Sequence, residues 1–338
     1  MSTGTRVPAS DAETLRSEHV TLLEGCGLLD RSERGKLALT GPGAVEFLNG
    51  QVTNELATLA AGDGCYAAFL THKGKMLGDL RILAVGDDAD ASGMALLLDT
   101  ERSALQGLFD MIRQFKVGYA VELHKRTLER GLLSLIGPEA TRVAGADGLA
   151  TDEHANATLE LAGLQVLAVR TDVGIDLICD AASTERLAAA LQERGAKPVS
   201  EQAAECLRVE HGRPRYGVEL DSTVIPQEAG LNERAVSFTK GCYVGQETVA
   251  RLHWRGKPNR HLRGLRLSAP AETGEELRLG ARSVGHLASS TVSPLFGPIA
   301  LALVRREAEP GSVVSVGEDG VTAEVVELPF GAVTANAS

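Results

Sequence analysis

Residues 65–85 read CYAAFLTHKGKMLGDLRILAV. Cys65 to Thr71 and Met76 to Val85 are rich in aromatic and aliphatic side chains, which predicts two strands. His72-Lys73-Gly74-Lys75 between them predicts the connecting turn, with Gly74 in the left-handed position. Strands joined this tightly are antiparallel, because a parallel pair needs a crossover of a dozen or more residues.

The flanks extend the pattern. Residues 11–27 have helical spacing and lead into a turn from Asp30 to Gly35. Lys36 to Thr40 alternates like a strand. Gly41-Pro42-Gly43 then opens a short helix, Ala44 to Leu48, at a spacing that fits no phosphate-binding loop. Met94 to Leu98 predicts a third strand. Glu101 to Phe115 predicts a helix capped by Thr100, with Leu105, Leu108, Phe109, Ile112 and Phe115 on one face.

The same order recurs downstream. Leu132 to Ile136 reads as a strand, and Gly137-Pro138 opens a short helix. Leu159 to Leu161, Val166 to Arg170 and Gly174 to Cys179 read as strands. Thr184 to Arg194 is a helix that stops at Gly195, and Ser200 caps another that runs to His211. The fold class is α+β, two units with antiparallel sheets, and not a regular βαβ series. From about residue 260 the chain becomes short strands broken by Gly and Pro, which reads as a small β-barrel or sandwich. The expected division is residues 1–125, residues 126–258 carrying the Cys242 region with a boundary open to discontinuity, and residues 259–338. Gly256-Lys257-Pro258-Asn259 is the expected linker.

Composition fits this reading. A chain of 338 residues suggests two or three domains, and 43% hydrophobic with 23% charged residues is ordinary for a globular protein. The net charge of −11 argues against broad phosphate-backbone binding. Five widely spaced cysteines without a C-x-x-C pair argue against a disulfide framework and a self-contained zinc site. A reducing cytoplasm is the expected compartment. The first residues lack a secretory apolar region, and no apolar run is long enough to span a membrane.

The densest candidate chemistry lies at residues 240–248, KGCYVGQET. Gly241 and Gly245 allow tight backbone geometry around Cys242, and Gln246 to His253 has helical character. Cys242 would then sit beside a helix N-terminus and near Lys240, both of which favour a thiolate. It reads equally as a small residue in a turn. Gln246 and Glu247 either bind a ligand or cap the helix, where Glu247 and Arg251 are four apart. From Arg251 to Arg266 the chain is basic, with Trp254 inside, so it is either an anion site or a solvated edge. Glu210 falls in the last turn of its helix, where the dipole disfavours a carboxylate unless a partner compensates. It either grips a guanidine-like ring edge or pairs with Arg208 or Arg213. His211, His253, His261 and His286 show no metal-ligand spacing, and no metal site is expected.

The run KGCYVGQE, followed by Thr248 to Arg251, resembles the signature of the folate-binding YgfZ proteins, relatives of a mitochondrial iron–sulfur assembly factor. Further resemblance lies in Phe47 to Asn54, Leu207 to Gly212, Arg215-Tyr216-Gly217 and Ile225 to Glu228. The wider superfamily is that of the glycine-cleavage T-protein, an aminomethyltransferase. The resemblance implies a three-domain ring with tetrahydrofolate, or a one-carbon derivative of it, in the central hole. It implies that Glu210 grips the pterin, that Gln51, Gln227 and Arg251 belong to the cofactor site, and that basic groups after Arg251 meet the glutamate tail. It places Gln51 where the aminomethyltransferases carry a key Asp, which argues against aminomethyl transfer. Cys242 is by resemblance the required thiol, in a turn built by Lys240, Gly241, Gln246 and Glu247. The implied function is support of iron–sulfur client enzymes, including tRNA-modifying radical enzymes, with direct tRNA binding not expected. The alternative is a folate-dependent one-carbon transferase using Cys242.

Overall fold

A computed structural model describes residues 9–86 and 94–331. The first residues, read above for a leader, and the last residues of the third expected domain lie outside the described part. Among the described residues no helix is long and apolar enough to cross a membrane.

The hairpin forms as its sequence directs. Gly64–Leu70 pairs antiparallel with Met76–Gly86, and Gly74 takes φ +74° at the turn. Met94–Thr100, Gly35–Thr40 and Glu122–Lys125 complete a five-stranded sheet. Alternation sorts the hairpin's side chains between two faces. Ala67, Phe69, Leu80 and Ile82 face one core with Leu105, Leu108 and Ile112 of the helix Arg102–Phe115. Tyr66, Ala68, Leu70 and Met76 face another, covered by Leu220, Val224, Leu231, Tyr243 and Val249. Phe115, placed on the apolar helix face from spacing, is 51% exposed at the helix end. Thr100 does not cap that helix; its hydroxyl donates to the Asp79 carbonyl at 2.5 Å.

The second sheet has six strands, in the order Lys197–Pro198, Gly27–Asp30, Arg130–Ile136, Gly174–Asp180, Leu164–Arg170, Asn156–Leu161. The helix Ala9–Glu24 packs with the helix Glu201–Glu210 through Leu15, Leu22, Ala203 and Leu207. Residues 9–30 therefore belong with the second unit, and the Cys242 region packs on the first. Both segments cross the sequence-based division. The C-terminal segment forms a seven-stranded antiparallel sheet that curls around Leu265, Leu277, Ala302, Val314 and Val325.

The two α+β sheets meet face to face. Leu83, Leu132, Val169 and Ile178 form a dry contact between them. Beside it the same faces turn polar, because Tyr66 pairs with Arg81, Arg81 with Asp99, and Ser134 with Asp176 in register.

Candidate functional site

A cavity of about 240 Å³ opens where these polar faces meet. Its floor is Tyr66, Asp79, Arg81 and Asp99 from the first sheet and Ser134 and Asp176 from the second; Arg208, Arg215 and Arg234 stand at the sides. Arg81 ties the sheets together, with Nε to Asp99 at 2.7 Å and Nη1 to Asp176 at 2.6 Å. Ser134 donates to the other Asp176 oxygen at 2.6 Å. Arg34 holds Asp99 through Nε at 3.0 Å and Nη2 at 2.9 Å.

Two carboxyls in this cavity have opposite environments. Burial alone would raise Asp99, but Arg34 and Arg81 hold it well below the ordinary carboxylate range. Asp79 is also buried and, among the described residues, has no guanidinium bonded to it. Burial pushes its pKa up to about 6, against the Tyr66 hydrogen bond that favours the charged form. Tyr66 donates its O–H to Asp79 Oδ2 at 2.5 Å, and Arg234 lies 4.8 Å over the Tyr66 ring. Arg234 is itself fixed by Glu153, with Nε to Oε2 at 3.2 Å. One carboxyl thus stays charged while the other is poised to exchange a proton near neutral pH.

The residues selected from sequence lie elsewhere. Glu210 is buried and does not line the cavity. Its oxygens meet His19 Nε2 at 2.9 and 3.0 Å, the Ser293 hydroxyl at 2.5 Å and the Cys206 thiol at 3.5 Å. The compensating partner that a carboxylate in a last turn requires is therefore His19, on the N-terminal helix. His19, Cys206 and Glu210 bring three potential metal ligands within 4.8 Å of one another, an arrangement that residue spacing could not reveal. As they stand, they satisfy one another.

Gln51 also lies outside the cavity. Gln227 is buried and donates to the Val249 carbonyl at 2.6 Å, tying down the helix Gln246–Arg255. Arg251 is exposed on that helix. Of the other basic residues, Arg260 pairs with Glu228 at 2.8 Å and Arg263 with Glu327 at 2.7 Å. The basic segment does not converge on the cavity.

The cysteine turn is a built structure of another kind. Lys240 is buried, and its ammonium reaches the carbonyls of Asn49 at 2.7 Å, Val52 at 2.9 Å and Asn54 at 2.7 Å, with Asn49 Oδ1 at 3.0 Å. Burial draws its pKa down to about 8, against Glu55 and Cys65. Lys240 thus fastens the turn to the loop that contains Gln51. Gly245 takes φ +86°, and a Cβ there would meet the Thr71 carbonyl oxygen at 2.6 Å. Cys242 is exposed, whereas Cys26, Cys179 and Cys206 are buried and Cys65 is half-buried. Gln246 and Glu247 form the first turn of the following helix.

Asp79, Arg81, Tyr66, Ser134 and Asp176 escaped the sequence reading. Their signal was present: isolated polar residues at alternate positions of otherwise apolar strands, as in LGDLRIL and LLSLI.

Two α+β units enclose the polar cavity between their sheets, a curled C-terminal sheet completes the fold, and the comparisons place it. The chain matches the GCVT N-terminal domain over residues 7–240 and the glycine cleavage T-protein C-terminal barrel domain over residues 260–331. It belongs to the glycine cleavage T-protein family. It is 31% identical to an aminomethyltransferase of Streptomyces avermitilis, over 93% of this chain and 89% of the relative. A putative chloroplastic transferase of Arabidopsis thaliana is 29% identical, over 90% of this chain and 71% of the relative. The fold matches the glycine cleavage system aminomethyltransferase T of Bartonella henselae with a TM-score of 0.80 at 24% identity, covering 94% of this chain and 89% of that one.

Proposed function

We propose that the chain is a folate-dependent one-carbon transferase of the aminomethyl type, working in the central cavity with Asp79 as its proton-transfer group. The observation that carries this reading is the raised Asp79 carboxyl, near 6, beneath the Tyr66 hydroxyl. A group with that pKa gives and takes a proton efficiently near neutral pH. The relatives named aminomethyltransferase support the transfer class.

The cavity fits tetrahydrofolate in its chemistry. Arg208, Arg215 and Arg234 line its sides, each paired with a carboxylate that an anionic tail would have to displace, and polar groups stand on its floor. Bound there, tetrahydrofolate would supply a ring amine that takes up the one-carbon unit. The chain's own part is narrower. Tyr66 engages Oδ2 of Asp79 and leaves Oδ1 to accept a proton. Asp99, kept charged by Arg34 and Arg81, fixes the field around it. Burial between the two sheets keeps bulk water from competing for that proton.

A second reading rests on the exposed thiol. Cys242 stands on a turn fastened by Lys240 and Gly245, where another protein could reach it. The YgfZ-like motif supports a folate-binding accessory role toward iron–sulfur clients at that turn, and five unpaired cysteines suit a reducing compartment. Tetrahydrofolate-dependent turnover of an aminomethyl donor decides between the two. Loss in Asp79→Asn with retention in Cys242→Ala supports the transferase. Absence of turnover by the wild type, with client activity lost in Cys242→Ala, supports the accessory role.

A further inference from the structure

A second cleft, of about 600 Å³, opens where the hairpin turn of the first unit meets the C-terminal sheet, and it shares no lining residue with the central cavity. Five cations line it: Lys75, Arg260, Arg282, Arg305 and Arg306. Among the described residues its lining carboxylates are Glu228 and Glu307. In a chain of net charge −11 this concavity is a local reversal of sign.

The two carboxylates are already committed. Glu228 accepts from Arg260 through Nε at 3.1 Å and Nη2 at 2.8 Å. Glu307 pairs with Arg282 at 3.1 Å. Lys75, Arg305 and Arg306 form no ion pair among the described residues, and Arg305 and Arg306 are exposed to solvent. Asp221, in the adjoining groove, accepts from the Thr223 N–H and hydroxyl, each at 2.7 Å.

The fold holds these like charges side by side. Lys75 and Arg260 both donate to the Thr223 carbonyl, Arg260 at 2.9 Å. Arg260 lies directly opposite Arg305 where Arg260–Leu267 pairs with Gly297–Arg305. Like charges directly opposite on neighbouring strands repel, so the pair costs stability unless a counter-charge sits beside it. The Arg306 N–H donates to the Asn259 carbonyl at 3.0 Å, which fixes the backbone of Arg306 next to Arg260. One carboxylate, Glu228, meets this row of cations on the Arg260 side, and Arg305 is left without one.

We propose that this cleft binds a diphosphate-type anion, two linked phosphoryl groups held by the unmatched Lys75, Arg305 and Arg306. A guanidinium fork matches two phosphoryl oxygens at once, and a lysine ammonium adds a compact point charge. Three unmatched cations spread around the cleft exceed what one phosphoryl group can meet, and two linked groups reach further. The anion would supply the counter-charge that the Arg260–Arg305 pair lacks. The inference stands independently of the folate reading of the central cavity.

The test is a calorimetric titration of the full chain, without magnesium, against inorganic phosphate, pyrophosphate and ADP. The wild type should bind pyrophosphate at least tenfold more tightly than phosphate. ADP binding as tightly as pyrophosphate or more so makes a nucleotide the source; weaker ADP binding makes it the inorganic anion. The Arg305→Gln/Arg306→Gln double variant should lose tenfold or more in pyrophosphate affinity. Neither side chain is ion-paired, so without ligand it should melt no lower than the wild type; Arg306→Gln alone, weakened threefold or more, repeats the test with a smaller change. A control that removes two exposed arginines elsewhere, Arg113→Gln/Arg278→Gln, should bind as the wild type does. Pyrophosphate should also raise the melting temperature of the wild type and the control but not that of the double variant. Absence of pyrophosphate binding by the wild type overturns the proposal. So does equal binding by the double variant, which puts the anion elsewhere, or equal weakening in the control, which makes the effect one of overall charge.

Discussion

Replacing Asp79 by asparagine separates what the carboxyl costs the fold from what it gives the reaction. Burial raises its pKa from 3.8 to about 6. The folded chain therefore binds this proton more tightly than the unfolded chain does. Stability from this group is greatest below the unfolded value, falls as pH rises from about 4 to about 6, and is lost above that. Two pH units correspond to roughly 3 kcal/mol, an upper bound on the ionisation cost. Asparagine has nearly the same shape, carries no charge and can still accept from Tyr66. Asp79→Asn is therefore expected to be more stable than the wild type by up to roughly 3 kcal/mol near neutral pH, with the gain disappearing towards about pH 4. Its transfer activity should fall by about 10²- to 10⁴-fold, and wild-type activity should rise with pH through about 6. Urea unfolding of both proteins across this pH range measures the first effect, and a folate-dependent transfer assay the second. A stability difference that does not change with pH would refute the argument that the fold carries a reluctant carboxylate.

Four further outcomes concern the cysteine turn. Lys240→Met leaves four oxygens of the 49–54 loop without their ammonium and should cost about 3 kcal/mol or more, read as a lower urea midpoint. Gly245→Ala, forced against the Thr71 carbonyl oxygen at φ +86°, should cost more than about 2 kcal/mol. A Cβ on Gly241 meets open space, so Gly241→Ala should stay within about 0.5 kcal/mol of the wild type by the same measurement. A thiol reagent should modify one cysteine, Cys242, promptly in the folded protein and all five after denaturation. Burial pushes Cys26 up to about 11 and Cys65 and Cys206 up to about 12, and thiol counting by mass checks the prediction.

Local signals were legible in the sequence and distant ones were not. The hairpin announced itself through strand composition and Gly74, and the Ser200 cap through one side chain, which accepts from the Ala203 N–H. The strand Gly27–Asp30 has four residues and is held by partners near residues 133 and 197; nothing within it specifies a strand. Glu210 shows the same limit at the site. Its need for a partner followed from its place in the helix, but the partner is His19, 191 residues away. Asp79 and Tyr66 face the cavity because of strand alternation, yet what makes them a site is the second sheet closing over them. Cys242 drew attention because its motif is contiguous, whereas the cavity is assembled from residues that meet only in the fold.

The hairpin also sets the distance between the two chemistries. Tyr66 lies in the cavity, and Thr71, five residues along the same strand and turn, touches Gly245 of the cysteine turn. Asp79 pairs with Ala68, three residues before Thr71, so at about 3.3 Å per residue the path from Asp79 to the cysteine turn is roughly 10 Å, beyond a direct hydrogen bond. The two sites must act separately or through a ligand long enough to span them. A Cys242→Ala protein should therefore bind tetrahydrofolate as the wild type does. If its affinity drops tenfold or more while its melting temperature holds, the thiol reaches the ligand after all, and the separation argued from the hairpin is wrong.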